Sequence, residues 1–401
     1  MRLDIAGLIS DPRIRIVICC GSGGVGKTTT SAALAVRAAE AGRRVVVLTI
    51  DPARRLAQSL GVDELDNTPR PVRDIDTSAG GSLDAMMLDM KRTFDEVVSD
   101  HAAPDKAEAI FANPFYQALS TSFSGTQEYM AMEKLGQLSA AADTDDRWDL
   151  IVVDTPPSRS ALDFLDAPEH LASLLDGKFL RLLLNPARGP FRLMGVGFTL
   201  VYSAMEKILG AQVITDVKTF AAAFETLFGG FRARAETTLE LLGSERTTFL
   251  VVATPEPDAL REASFFVDRL TESGLPLSGV VINRTHATEL EISAERALAL
   301  AEELEASAAP ATTPAQTTST QKTPTKRTPP KSRRQVPHRA EIAALRRHAA
   351  RMQLIDRERR LLTRFSASRP DVALQSVPDQ PGDVTDLAAL RLLGSALVDE
   401  N

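Results

Sequence analysis

One ten-residue run constrains this chain more than any other: Gly21-Ser22-Gly23-Gly24-Val25-Gly26-Lys27-Thr28-Thr29-Thr30, which spells G-x-x-x-x-G-K-T. The apolar stretch from Ile14 to Cys20 leads into it, and helix-forming sequence from Ser31 to Glu40 follows. A strand, a glycine loop and a helix in that order make a phosphate cradle. The glycines let backbone N–H groups close around a polyphosphate, and the start of the helix adds its positive dipole end. In such a cradle Lys27 stands against the β/γ-phosphates, and the Thr28 hydroxyl is a ligand for Mg²⁺. A glycine turn that only caps a helix is the plainer reading, and it is disfavoured by having both strand and helix in place. The run implies a nucleoside triphosphate site.

The rest of the composition sets limits around that site. The 401 residues suffice for one large α/β domain or for two domains, and 44% apolar with 25% charged residues is the balance of a soluble globular chain. A formal net charge of −7 argues against a general nucleic-acid binder. The two cysteines, Cys19 and Cys20, are adjacent on the expected first strand, so they form neither a disulfide framework nor a zinc site. That points to a reducing cytoplasm. The N-terminus lacks the order of a signal peptide, and the stretch 193–205 is too short to span a bilayer.

Strand-like runs at 15–20, 45–50, 150–154, 248–253 and 279–283 alternate with helical sequence. This alternation predicts a mostly parallel sheet flanked by helices, joined by right-handed crossovers. No strong strand signal appears between 61 and 148 or between 166 and 244, and both stretches read as helical. In the second, Val213, Val217, Phe220, Phe224, Leu227 and Phe231 share one helix face. The reading assigns 1–84, 141–165, 244–305 and 340–401 to an α/β core, with 85–140 and 166–243 as a helical subdomain. Residues 306–339 hold six prolines, eight threonines, seven Lys/Arg and no acid, a composition that predicts a disordered internal loop. A helix over 341–365, a strand over 372–377 and a helix over 384–398 are expected beyond it.

Two aspartates carry further chemistry. The run Leu150 to Asp154 is an apolar strand ending in a carboxylate, suited to holding a magnesium-bound water. Asp51 ends the second strand at the carboxyl edge where ligands bind in such sheets. It either orients an attacking water or caps a helix, and spacing alone leaves both open.

The ordered set GGVGKTT, DPA (51–53), DTPP (154–157) followed by LDFLDAP, PEPDALRE (255–262) and INR (282–284) resembles the arsenite-efflux ATPase family. That family includes the eukaryotic ATPase that targets tail-anchored membrane proteins. The closing VPDQPGDV (377–384) is similar too, so the likeness spans most of the chain outside 306–339. The resemblance implies a deviant Walker A P-loop ATPase fold with a helical subdomain that handles clients, using ATP and Mg²⁺ at a dimer interface. It implies that Gly23, Gly24, Val25, Gly26, Lys27, Thr28 and Thr29 bind phosphate, and that Asp51 and Asp154 are the two switch aspartates. It also implies that Asn283 reads the adenine edge, and that the loops at Pro255 and Pro378 close over the base. The partners it implies are a paralogous ATPase subunit or a second copy, and an apolar client helix or membrane protein.

The chain departs from that pattern at three places. Most relatives carry a lysine that crosses the dimer interface, and here Ser22 stands in its position. Either the chain is a slow ATPase that uses nucleotide as a clamp, or a lysine-bearing paralogue completes its site. Cysteines for zinc or metalloid are missing, and Arg159-Ser160 replaces the usual Gly-His. Methionines at 86, 87, 90, 130 and 132, with seven phenylalanines in 179–231, suit either an adaptable client groove or an ordinary helical core.

Overall fold

The computed structural model describes residues 1–51, 55–114, 116–117, 120, 126–156, 233–308 and 338–399. Eight strands among them form one sheet: β1 (Ile16–Cys20), β2 (Arg44–Thr49), β3 (Arg70–Pro71), β4 (Ser82–Met87), β5 (Leu150–Asp154), β6 (Thr247–Ala253), β7 (Leu277–Thr285) and β8 (Leu374–Pro378). Their spatial order is β3-β4-β2-β5-β1-β6-β7-β8. Strand β1 pairs in parallel with β5 and β6, β2 with β4 and β5, and β6 with β7; β3 runs antiparallel to β4. The central strands β1, β5 and β6 are buried along their whole length, as expected for a parallel sheet covered on both faces. The chain passes from β5 on one side of β1 to β6 on the other, so β1 marks the point where strand order reverses. In such sheets the ligand crevice opens there, beyond the carboxyl ends of the strands.

The described helices are α1 (Ile5–Ser10), α2 (Lys27–Glu40), α3 (Arg55–Leu60), α4 (Met90–His101), α5 (Pro104–Phe111) and α6 (Thr126–Thr144). They continue with α7 (233–242), α8 (Pro257–Glu272), α9 (Ala294–Ala308), α10 (Arg339–Ser368) and α11 (Leu387–Val398). Helix α2 is alanine-rich on its buried sides (Ala32, Ala33, Ala35, Ala38 and Ala39), and this lets neighbours come close. Helix α11 uses that space. Gly394 approaches so closely that a methyl group there would stand 3.1 Å from the Ala33 carbonyl. Asp386 caps α11 by accepting the Ala389 N–H at 2.8 Å, which starts the helix at 387 rather than at 384.

The sheet is longer than the sequence pattern suggests. Strands β3 and β4 occupy a stretch expected to be helical, and β4 carries Ala85, Met86 and Met87 into the sheet. The run Ser-Leu-Asp-Ala-Met-Met contains no β-branched residue, so propensity gives no signal. The pairing with Arg44–Thr49 and the burial of Leu83, Ala85 and Met86 decide its conformation instead. Met130 and Met132 on α6 are buried packing residues as well, while Met87 and Met90 are half-buried. The phenylalanine-rich stretch, Arg159, Ser160 and the helix face from Val213 to Phe231 lie outside the described residues.

The described chain divides into two compact units, Met1–Arg284 with 369–401, and Thr285–Ser368. The second holds α9 and α10, which the sequence division groups with the α/β core. They pack through Ala294, Ala297 and Ala349, flanked by Ile292, Leu345 and Met352. Within it the Glu358 carboxylate accepts from the His286 backbone N–H at 2.9 Å and meets the His286 ring at 2.7 Å. Residues 306–308 finish α9 and Arg339 begins α10, which corrects both ends of the expected loop. Residues 309–337 are outside the described set. No described helix is long and apolar enough to cross a membrane.

At the edge of the sheet remote from the glycine loop, Arg43 ties the segment 9–14 and Asp149 to the start of β2. Its guanidinium donates to the carbonyls of Ile9 (2.9 Å), Asp11 (3.1 Å), Ile14 (2.9 Å) and Asp149 (2.7 Å), and to the Asp149 carboxylate (2.6 Å). Only a planar fork of five donors satisfies that set. Arg43→Ala should cost about 3 kcal/mol in urea unfolding, because it orphans several half-buried acceptors. Arg43→Lys should recover less than half of this. A change below about 0.5 kcal/mol for the alanine variant would show that the cluster carries no stability.

Candidate functional site

The glycine loop leaves β1 at Gly21, whose φ of 147° and lack of a side chain admit the Val252 carbonyl into the space a Cβ would fill. It ends at Gly26, the N-cap of α2, with a left-handed φ of 94°. No side chain caps α2 there, so the N–H groups of its first turn stay available to an anion. Lys27 folds back over the loop, and its ammonium donates to the Ser22 carbonyl at 2.9 Å. Burial lowers the Lys27 pKa, and the charge of Asp154 opposes that shift. A cation held out of water above open N–H groups is the electrostatic form of a polyphosphate seat.

Asp154 ends β5 in register with Cys19 on one side and Thr49 on the other. It has no solvent exposure. Burial pushes its carboxyl up to about 6, against the lowering pull of the Thr49 and Thr28 hydroxyls and of Lys27, while Asp51 adds to the rise. Oδ2 accepts from the Thr49 hydroxyl at 2.8 Å, and Oδ1 has no hydrogen-bond partner. An orphaned, fully buried carboxylate oxygen is costly. Near a threonine hydroxyl and a lysine, it suits a hard cation that takes oxygen ligands. Thr28 and Asp154 therefore fit Mg²⁺ as direct or water-mediated partners.

Thr49 also accepts the backbone N–H of Asp51 at 3.2 Å. One hydroxyl thus ties the two aspartates together, a role that motif reading passed over because threonine is common in strands. Asp51 is half-buried at the end of β2, at the same edge as the glycine loop. Thr155 anchors the chain after β5 by donating from its hydroxyl to the Cys19 carbonyl at 2.9 Å. Cys19 and Cys20 are fully buried, and burial pushes the Cys19 thiol up to about 12 and the Cys20 thiol higher still. They are neutral packing groups behind the site, not thiolates.

Asn283, near the end of β7, is 6% exposed and donates from Nδ2 to the Val25 carbonyl at 2.9 Å. It lines a cavity of about 850 Å³ together with Gly26, Thr29, Arg55, Gln58, Arg284 and the turn 379–385. Sequence reading did not single out Arg55, Gln58 or Arg284. Arg284 adopts φ 62°, a left-handed conformation that costs a non-glycine residue on the order of 1 kcal/mol and is concentrated at functional sites. Pro255 is buried where β6 passes toward α8, and Pro378 closes β8. Neither lines the cavity, which reaches the residues after Pro378 instead.

The structure thus brings Gly23 to Thr29, Asp51, Asp154 and Asn283 to the carboxyl edge of one sheet. A model of the anion-transporting ATPase family matches residues 14–301. ATPase GET3 of Malassezia globosa is 26% identical over 284 residues, covering 70% of this chain and 75% of that protein. ATPase ASNA1 homolog 2 of Paramecium tetraurelia is 23% identical over 291 residues, covering 71% and 80%. ATPase get3 of Aspergillus terreus is 25% identical over 288 residues, covering 71% and 77%.

The raised pKa of Asp154 has a definite sign for stability. Folding favours its neutral form, so its contribution is complete below the ordinary value of 3.8 and is lost as pH rises through about 6. At pH 7.5 the ligand-free protein carries a penalty of about 3 kcal/mol from this group. Asp154→Asn should be more stable than wild type at pH 7.5, with the gap narrowing between pH 6 and pH 4 in thermal unfolding, while turnover is lost. A gap that does not change with pH would contradict this assignment.

Proposed function

The chain belongs to the anion-transporting ATPase family, and we propose that it binds ATP with Mg²⁺ at the β1–α2 edge and hydrolyses it to drive work on a membrane protein. The single observation that carries the site assignment is the buried Asp154 with its orphaned oxygen beside Thr28 and Lys27. When bound, Mg²⁺ would supply positive charge against the negative charge that develops during transfer. The chain's own groups do the rest. The loop N–H groups and Lys27 hold the phosphates, and Asp154 with Thr28 supplies the oxygens facing the metal. Asp51 orients the attacking water. The Thr49 hydroxyl joins Asp154 to Asp51, so a change in what Asp154 faces is passed to the segment after β2.

The family resemblance supports a dimer with two nucleotides face to face, a cytoplasmic location with peripheral contact to membranes, and an apolar client helix as substrate. The division into an α/β core and a helical client half rests on the same resemblance. Ser22 favours a second reading, in which the chain is a nucleotide-gated scaffold with weak activity that acts through a paralogous, lysine-bearing partner. A serine cannot supply a full positive charge where the transition state becomes negative. An energising role in arsenite efflux has less support, because Cys19 and Cys20 are buried and neutral.

Steady-state ATPase assays with calorimetry test this reading. Lys27→Ala should bind ATP at least tenfold more weakly, the loss of a charge-assisted contact of about 1.5–3 kcal/mol. Asp51→Asn should lower kcat while leaving KM close to wild type, the signature of a contact made in the transition state. Unchanged ATP affinity in Lys27→Ala would remove the site assignment. Ser22→Lys should raise the activity of the isolated chain about tenfold, equivalent to about 1.4 kcal/mol of barrier. A fast isolated wild-type chain that gains nothing from Ser22→Lys would rule out partner complementation.

A further inference from the structure

We infer that Asn283 is a positioning residue for the phosphate loop, so that it governs the binding of the triphosphate whether or not a base is attached. The inference rests on the proposed nucleotide site and adds a role that base recognition alone does not give. Its grounds are geometric. Asn283 Nδ2 donates to the carbonyl of Val25, at the last turn of the loop, from a strand more than 250 residues away in sequence. The peptide that follows Val25 leads into Gly26, whose left-handed φ of 94° starts α2. A trans peptide points its C=O and N–H in opposite directions. Fixing the Val25 carbonyl toward Asn283 therefore turns the Gly26 N–H to the opposite side, away from Asn283.

Gly26 and Asn283 are also matched in shape. A Cβ built on Gly26 would clash with Asn283 Nδ2, so the amide packs against the face that the glycine leaves open. The glycine is required twice over, by its φ and by this close approach. Asn283 is almost fully buried on β7, and Arg284 directly after it is left-handed. One N–H of the amide is committed to Val25. Asn283 also lines the cavity between α3 and the turn 379–385. A single side chain thus links the wall of that cavity to the loop.

The two roles separate in a ligand series. Asn283→Leu keeps the branched shape and removes the donor. Calorimetry with MgATP, MgGTP and Mg-tripolyphosphate is compared for wild type and variant, with thermal unfolding measured alongside. Positioning predicts that the variant loses about tenfold in affinity for all three, by a similar factor, with its unfolding temperature little changed. Loss for MgATP alone, with MgGTP and tripolyphosphate unchanged, makes Asn283 a base reader only and overturns the inference. A wild-type chain that binds MgATP but no tripolyphosphate overturns it too, because the loop then draws its affinity from the base side. If wild type binds none of the three, the nucleotide reading itself fails. Asn283→Ala, which leaves a void instead of a misfit, repeats the series if the leucine variant does not fold.

Discussion

The arrangement depends on the Asp154 carboxylate, which is held out of water at the end of β5 between Cys19 and Thr49. Asp154 is fully buried there, so its charge must be met by neighbours or be given up. Three neighbours meet it in part: the Thr49 and Thr28 hydroxyls and the Lys27 ammonium. What they leave over is an unpartnered oxygen and a raised pKa. Perturbed buried groups of this kind cluster at functional sites.

Around this group the fold is built to keep a strained loop still. Val252 lies where a side chain at Gly21 would be, and Asn283 lies where one at Gly26 would be, so the loop is gripped at both ends by neighbouring strands. Helix α2 carries the loop's far end and is itself held by α11, which approaches closely because Gly394 faces the Ala33 carbonyl. The last helix of the chain thereby supports the first functional element. The core therefore continues past residue 301, with Val377, Leu390, Leu393 and Leu397 in the same cluster as α2.

Much of this was legible in the sequence because it rests on local, periodic or motif-bound signals. The β1-loop-α2 unit, the strand ending at Asp154 and the alternation of strand and helix followed from short runs. Strand β4 did not, because Ser82–Met87 becomes a strand through pairing and burial, not through propensity. The Thr49 bridge and the Arg43 hub were equally silent. Each consists of hydrogen bonds between residues far apart in the chain, and nothing in a threonine or arginine announces its partners. Family likeness implied only a base-reading role for Asn283, while its bond to Val25 became visible only once β7 and the loop stood side by side. The extents of β1, β2 and β5–β7 fell within a residue or two of expectation, and the helix after 384 began later because of the Asp386 cap.

The central claim is that Thr28, Lys27 and Asp154 form a seat for a metal-bound triphosphate. Manganese can stand in for magnesium there, and electron paramagnetic resonance of free Mn²⁺ reports how much is taken up. The account predicts tight uptake of about one Mn²⁺ per chain only when ATP is present, and a marked loss of that uptake in Asp154→Asn. Uptake that ignores ATP, or that is unchanged when Asp154 is replaced, would contradict it.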